Sequence, residues 1–414
     1  MQRIISTCVA SAAIVAASLS SPAAQNDQPG AQAAPAPAAQ GQGGGRGGRA
    51  GGGRGGGGRG GGRGGAEIKP SALRAIPAET TAAKFKDPNW QAPRTPWGHP
   101  DIQGTWSSDD MRGIPQERNA NQGTRETLTA EEFAQRAGND EAGRNRAVNQ
   151  ESFLRNEFGI RTFGFSSLMI EPANGRRPAL TAKAQARVKA LAGVGTFGTR
   201  PLNSFEDFSL YDRCVTRGVG SIGPAIYGNG VRIIQSPNEV VVTYEMIHDS
   251  RVIYLDGRPR VASTLTQWLG DSRGRWEGET LVVETTNFYE RGPNVFGVPP
   301  SPTTKLTEWF TRIDPQMVEY KARVEDPEMV TAPFTLRWVI TTQPDYPEVY
   351  EYSCHEGNTA VEHGLRSERI YDREEAELRA RGLPVPPRPT RMDVYGAPDR
   401  SLPVRDVNSQ PLKK

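Results

Sequence analysis

Three cysteines and four histidines are spread over 414 residues, with no HExxH or CxxC string among them. Their scarcity excludes the common zinc-finger and zinc-protease frameworks, whose ligands recur at fixed short spacings. Long apolar runs are equally scarce. Beyond the first 24 residues no segment approaches the ~20 consecutive apolar residues of a membrane-spanning helix. Charge of one sign is also missing. The chain carries a net +3, but residues 1–66 hold six arginines against Asp27 alone, so residues 67–414 are left at −2. A near-neutral body has no electrostatic footprint for a polyanion.

Residues 1–24 have Arg3 near the start, an apolar run from Ile4 to Leu19 and small residues at 21–24, which reads as a secretory signal peptide. Cys8 lies early in the apolar run, where a lipidated cysteine would follow it. The protein is therefore expected in a periplasmic or extracellular space, with no membrane span. Two cysteines then remain, Cys214 and Cys354. In an oxidising compartment they suit a disulfide closing a very long loop; two buried thiols, or a reactive Cys354 beside His355, are the alternatives.

Residues 25–66 are Ala/Pro/Gln-rich and then almost pure glycine punctuated by arginine. Such a stretch has no side chains to bury and reads as a disordered linker. Arg-Gly-Gly repeats suggest RNA binding in a cytosolic protein, but in an exported chain they read as a spacer, with no nucleic-acid partner expected.

The rest divides into three parts. Residues 67–225 form a Pro-rich extended arm followed by a mixed helix and loop region. There the Thr129–Glu132 capping box predicts a short helix from Ala130 to about Arg136, and the spacing over 181–191 predicts another. Residues 226–365 carry the fold, and 366–414 read as a C-terminal helix and Pro-rich tail. Nine segments in the middle part have strand character: VRIIQS, EVVVTYEMI, RVIYLD, STLTQWLG, ETLVVETTNF, TKLTEWFTRI, QMVEYKARVE, FTLRWVITT and EVYEYSCH. Leu306, Glu308 and Phe310 share one face and Thr307, Trp309 and Thr311 the other, so both faces carry polar groups. The expected fold is mainly β, an antiparallel meander closing into a barrel or strongly curved sheet with a partly wet lumen, plus a few short helices.

The strings PDIQGTW, IYLDGRPR, WLGDSRGRWEGETLVVETTNF, LTEWFTRID and EYSCHEGN resemble a large group of exported bacterial proteins. The resemblance runs from about Trp97 to Asn358 and implies common descent without implying a reaction. Gly104-Thr-Trp106 also resembles, weakly, the Gly-x-Trp that opens lipocalin-type (calycin) barrels, which implies a ligand-holding barrel.

Candidate chemistry comes from few residues. His248 sits in a turn between two strands, and His355 with Glu356 follows the last one. If the two histidines share an end of the meander they form an acid–base pair or, with Glu356, part of a metal site. Surface turn residues with structural hydrogen bonds are the plainer reading. Asp271, with Glu277, is a candidate carboxylate pair for a glycoside, although Trp276-Glu-Gly-Glu-Thr280 also reads as a hairpin turn. The expected function is an exported hydrolase or lyase acting on a small glycoside or aromatic compound through His248, His355, Glu356 and Asp271. The alternative is a non-catalytic binder holding a small apolar ligand in the lumen. No cofactor or metal is specified, and the partner is a small molecule.

Overall fold

The computed structural model describes residues 74–75, 90–149, 159–194, 200–225, 227–343 and 348–387. The expected signal peptide, the Gly/Arg linker, most of residues 67–89 and the tail beyond 387 lie outside the described residues.

The chain is mainly β. A short parallel pair joins β1 (Arg74–Ala75) to β3 (Arg161–Thr162). The main sheet contains β2 (Gly104–Ser107), β4 (Met169–Glu171), β5 (Gly230–Gln235), β6 (Glu239–Tyr244), β7 (Ser250–Tyr254), β8 (Asp271–Glu277), β9 (Thr280–Thr286), β10 (Lys305–Asp314), β11 (Met317–Glu325) and β12 (Phe334–Thr341). From β5 to β12 each strand neighbours the next, and β2 fits between β12 and β5. These nine strands close a barrel, with β4 added alongside β2 on one edge of β12.

Closure with nine strands imposes a condition on direction. In a ring whose neighbours are all antiparallel, direction alternates, and alternation cannot return to its start after an odd number of steps. One junction must therefore be parallel. It is β7–β8, and it is reduced to a single pair, Tyr254 with Arg273. Every other junction in the ring is antiparallel.

Register sets which side chains fill the interior, because directly opposed residues share a face. Glu308 opposes Val283 and Ala322, Phe310 opposes Leu281 and Tyr320, and Tyr320 opposes Trp338. Phe310, Tyr320 and Trp338 stack in sequence, with ring centres 4.9 and 4.5 Å apart, and Phe296 packs on Trp338 at 5.7 Å. Two pairs of inward polar groups are buried and bonded to each other: Ser272 with Thr285 at 2.9 Å, and Arg251 with Glu308 through two bonds of 2.7 and 2.9 Å. The expected wet lumen is thus corrected. Glu308 satisfies its polarity by pairing across the interior, while apolar and aromatic side chains fill the space.

Two expected strands are replaced. STLTQWLG contains no strand, only turns and an isolated bridge from Gln267 to Phe288, and EVYEYSCH contains none among its described residues. Their places are taken by β8, whose Asp271–Glu277 sequence is a strand with the hairpin turn just beyond it, and by β2. The barrel wall therefore draws one strand from before residue 226. Trp106 of β2 is buried, donates its indole N–H to the Ile102 carbonyl at 3.1 Å, and lies beneath the Arg312 guanidinium.

Three α-helices accompany the barrel among the described residues. α1 (Ala130–Asn149) starts at the expected capping box, where Thr129 and Glu132 bond reciprocally at 2.8 and 3.2 Å, but it runs well past Arg136. The extension follows from Arg136, which donates to the Phe163 carbonyl, and Arg144, which donates to the Gly159 carbonyl, so tertiary bonds sustain a polar segment of weak pattern. α2 (Ala182–Leu191) is capped by the Thr181 hydroxyl, which accepts from the Ala184 N–H. α3 (Ala360–Ala380) begins before the expected position and lies close against Phe208 and Leu202 at Gly364. None of the helices is long and apolar enough to cross a membrane.

Candidate functional site

The parallel junction positions the main cleft. β7 and β8 meet only where Tyr254 pairs with Arg273, and they are joined by a 255–270 connection that must carry the chain back to run in the same direction. A cleft of about 1010 Å³ opens along this seam, flanked by Ser250–Tyr254 on one side and Gly270–Arg273 on the other. Val215, Thr216, Asp249, the 266–269 segment and Tyr289 complete its walls.

Its side chains are aromatic and cationic. Two guanidinium groups lie over the Tyr254 ring, Arg258 at 3.9 Å from its centre and Arg273 at 5.2 Å. Trp268 meets Tyr289 edge to face, with centres 5.0 Å apart, and is 38% exposed. Of the ten large apolar side chains exposed among the described residues, Val215, Val252 and Trp268 line this cleft and Leu265 lies beside its Thr266. A concentration of exposed apolar surface at a concavity marks a ligand or partner site better than isolated exposed residues do.

Gly270 shapes one edge of the cleft. It adopts φ +70°, and a Cβ there would stand 2.6 Å from the Thr286 carbonyl oxygen. Both features oppose any side chain. Gly270→Ala is expected to lower stability by about 1–3 kcal/mol and to displace the start of β8. Chemical denaturation that leaves the variant level with wild type would contradict this.

Asp271 lines the cleft but is engaged. Its carboxylate pairs with Arg273 at 2.6 Å and accepts the Val261 N–H at 3.3 Å, while its carbonyl accepts from Arg260 at 2.8 Å. Glu277 lies at the other end of β8. Six residues at ~3.3 Å each separate the two by roughly 20 Å, against the ~5–9.5 Å between glycosidase carboxylates. The Asp271–Glu277 pair is therefore corrected: a strand, in place of a turn, holds them apart.

His248 and His355 do come together, with ring centres 6.4 Å apart. The Cys214–Cys354 disulfide brings them there, tying the segment that carries His355 to the loop beside β7. His248 Nδ1 lies 2.9 Å from the Tyr352 carbonyl oxygen. Both histidines and Glu356 are exposed, and neither histidine lines the cleft. The link to the cleft is Asp249, which follows His248, lines the cleft wall and accepts from the Thr216 hydroxyl at 2.5 Å. Beneath the histidines, the hydroxyl of Tyr211 bonds those of Tyr227 and Tyr352, each at 2.8 Å. Burial raises the pKa of all three tyrosines above the ordinary phenol range, so they act as neutral hydrogen-bonding groups. Among the described residues no group of three or more His, Cys, Asp or Glu side chains is arranged to hold a metal ion.

The sequence did not single out Tyr254, Arg258 and Tyr289 as cleft residues. Trp338 is buried and bonds the Ile222 carbonyl; Trp268 is not buried. The available signal was parity: an odd strand count implies one parallel junction, and the connection spanning it must be long.

Comparison of this chain with protein-family models, curated proteins and solved structures returns no significant match.

Proposed function

We propose that the protein is an exported β-barrel binding protein that holds a small glycoside or aromatic compound in the cleft between β7 and β8. The observation that carries this reading is the clustering of Val215, Val252, Leu265 and Trp268 around a cleft that also offers Tyr254, Gln267 and Asp249. Trp268 gives a flat apolar face for a ring, and the polar groups around it suit hydroxyls. This differs from a calycin-style binder in placing the ligand on the wall, since aromatic side chains occupy the interior. Export is supported by the leader-like first 24 residues and by the Cys214–Cys354 bridge, a cross-link typical of oxidising compartments.

The direct test is tryptophan-fluorescence titration of the mature protein with a panel of aryl glycosides, free sugars and aromatic acids. Saturable binding by at least one member is expected, weakened about tenfold, or ~1.4 kcal/mol, in Trp268→Ala. A panel without saturable binding, or equal binding by Trp268→Ala, rejects the site.

A hydrolase or lyase is the second reading, favoured by the position of Asp249 between His248 and the cleft. In that case His248 and His355 act as the acid–base pair on a ligand reaching over the cleft rim. Release of aglycone from the same panel, abolished by His355→Ala, would select it over simple binding.

A further inference from the structure

We propose that His248 and His355 form a surface site for one late first-row transition-metal ion, Cu²⁺ or Zn²⁺, held by two imidazoles and completed by water. The inference rests on this histidine pair alone and is independent of the ligand reading of the cleft.

The first support is the protonation state of His248. The Tyr352 carbonyl oxygen, 2.9 Å from Nδ1, can only accept, so Nδ1 carries the hydrogen. In the neutral ring this leaves the Nε2 lone pair free. A backbone carbonyl fixing the far nitrogen of a histidine is the usual outer-sphere arrangement around metal-bound imidazole.

The second support is distance. With metal–nitrogen bonds of ~2.0–2.1 Å, each ring centre lies about 3.2 Å from the ion, so two rings stand roughly 5.2 Å apart at a tetrahedral angle and about 6.4 Å apart when opposed. The observed 6.4 Å is at the wide end of that range. Both side chains are exposed, so closing by about 1 Å needs only side-chain rotation.

The third support is that the backbone holds the pair in place from both sides. His248 (φ 45°) and Ile247 (φ 64°) adopt successive left-handed conformations, which non-glycine residues rarely do. On the other side the Cys214–Cys354 bridge fixes the residue immediately before His355. Imidazole selects copper and zinc over the oxygen-seeking Mg²⁺ and Ca²⁺. Glu356 is beside His355 and is available to a more highly coordinated ion.

The test uses untagged mature protein, calorimetric titration with CuCl₂ and ZnCl₂, and MgCl₂ as control. With only four histidines in the chain, background is low, and imidazole NMR signals report which rings respond. One Cu²⁺ or Zn²⁺ per chain is expected, with two of the four histidines shifted. His248→Asn, which tolerates the left-handed backbone, and His355→Ala are each expected to weaken binding at least about tenfold, whereas His99→Gln and His363→Gln leave it unchanged. Circular dichroism establishes that each variant is folded. Absence of binding by wild type, or equal binding by the His248→Asn/His355→Ala double variant, overturns the proposal.

Discussion

Glu308→Ala is expected to destabilise the barrel by about 3–5 kcal/mol, the range for breaking a buried ion pair from one side. Glu308 and Arg251 are essentially inaccessible and exchange two hydrogen bonds of 2.7 and 2.9 Å. The Tyr320 hydroxyl donates to the same carboxylate at 2.7 Å. Burial alone would lower the Arg251 pKa, but the Glu308 carboxylate more than offsets it, so the guanidinium stays charged. Removing Glu308 leaves that charge with no counter-ion and leaves the Tyr320 hydroxyl without its acceptor. Tyr244 offers little relief. Its hydroxyl is buried without a hydrogen-bond partner, and burial already holds its pKa above the ordinary range.

The compensating experiment is Arg251→Met with Glu308→Leu. Replacing both members with apolar groups of similar size removes the desolvation cost along with the attraction, and most of the lost stability should return. Urea unfolding of the two variants beside wild type measures this. A Glu308→Ala protein within 1 kcal/mol of wild type would show that Arg251 reaches solvent in its place, through the seam that its own strand borders.

The second large effect is expected from Cys214→Ser/Cys354→Ser. The bridge closes a loop of 140 residues, for which chain entropy alone gives about 5 kcal/mol, with about 2–5 kcal/mol usual in practice. What the bridge positions is visible around it. The Tyr211–Tyr352 hydroxyl bond joins the segment after β12 to the loop before β5, and the His248–Tyr352 contact and the approach of His355 join it to the turn between β6 and β7. α3 buries none of its residues, so the contacts near its start carry much of its attachment. The double variant, compared with wild type in matched denaturant titrations, should unfold at lower urea concentration. Midpoints that coincide would mean that the tyrosine cluster alone anchors this segment.

Much of the fold was legible because alternation is a strong signal when one face is buried. VRIIQS, EVVVTYEMI and RVIYLD became β5, β6 and β7, and the four runs from ETLVVETTNF to FTLRWVITT became β9 to β12. The Cys214–Cys354 bridge is one of the three states the two remaining cysteines left open, and His248 meets His355 as the condition of a shared end of the meander required. The failures share a cause. STLTQWLG alternates as well as a strand does, but its neighbours run parallel, so it serves as crossover, and its Leu265 and Trp268 face outward at the cleft. DSRGRWE looked like a turn because charge and glycine crowd it. Yet Gly274 is there because a Cβ would stand 2.7 Å from Ile253 Cγ2, and the charges lie on the outer face. GTWS is too short to announce a strand. Its role is set by partners more than 120 residues away in sequence, as in Gly104 opposite Ile233.

That four-residue strand has a kinetic consequence. β5 to β7 and β8 to β12 are two blocks in which every strand pairs with its immediate successor, so each block assembles by short-range zippering. The seam contributes one pair to joining them, and β2 does the rest, from a point in the chain that precedes both. Closing such distant contacts carries the largest single loop-entropy costs in the ring. Circularity is therefore expected to be acquired last, with Gly104–Ser107 as the clasp that confers it.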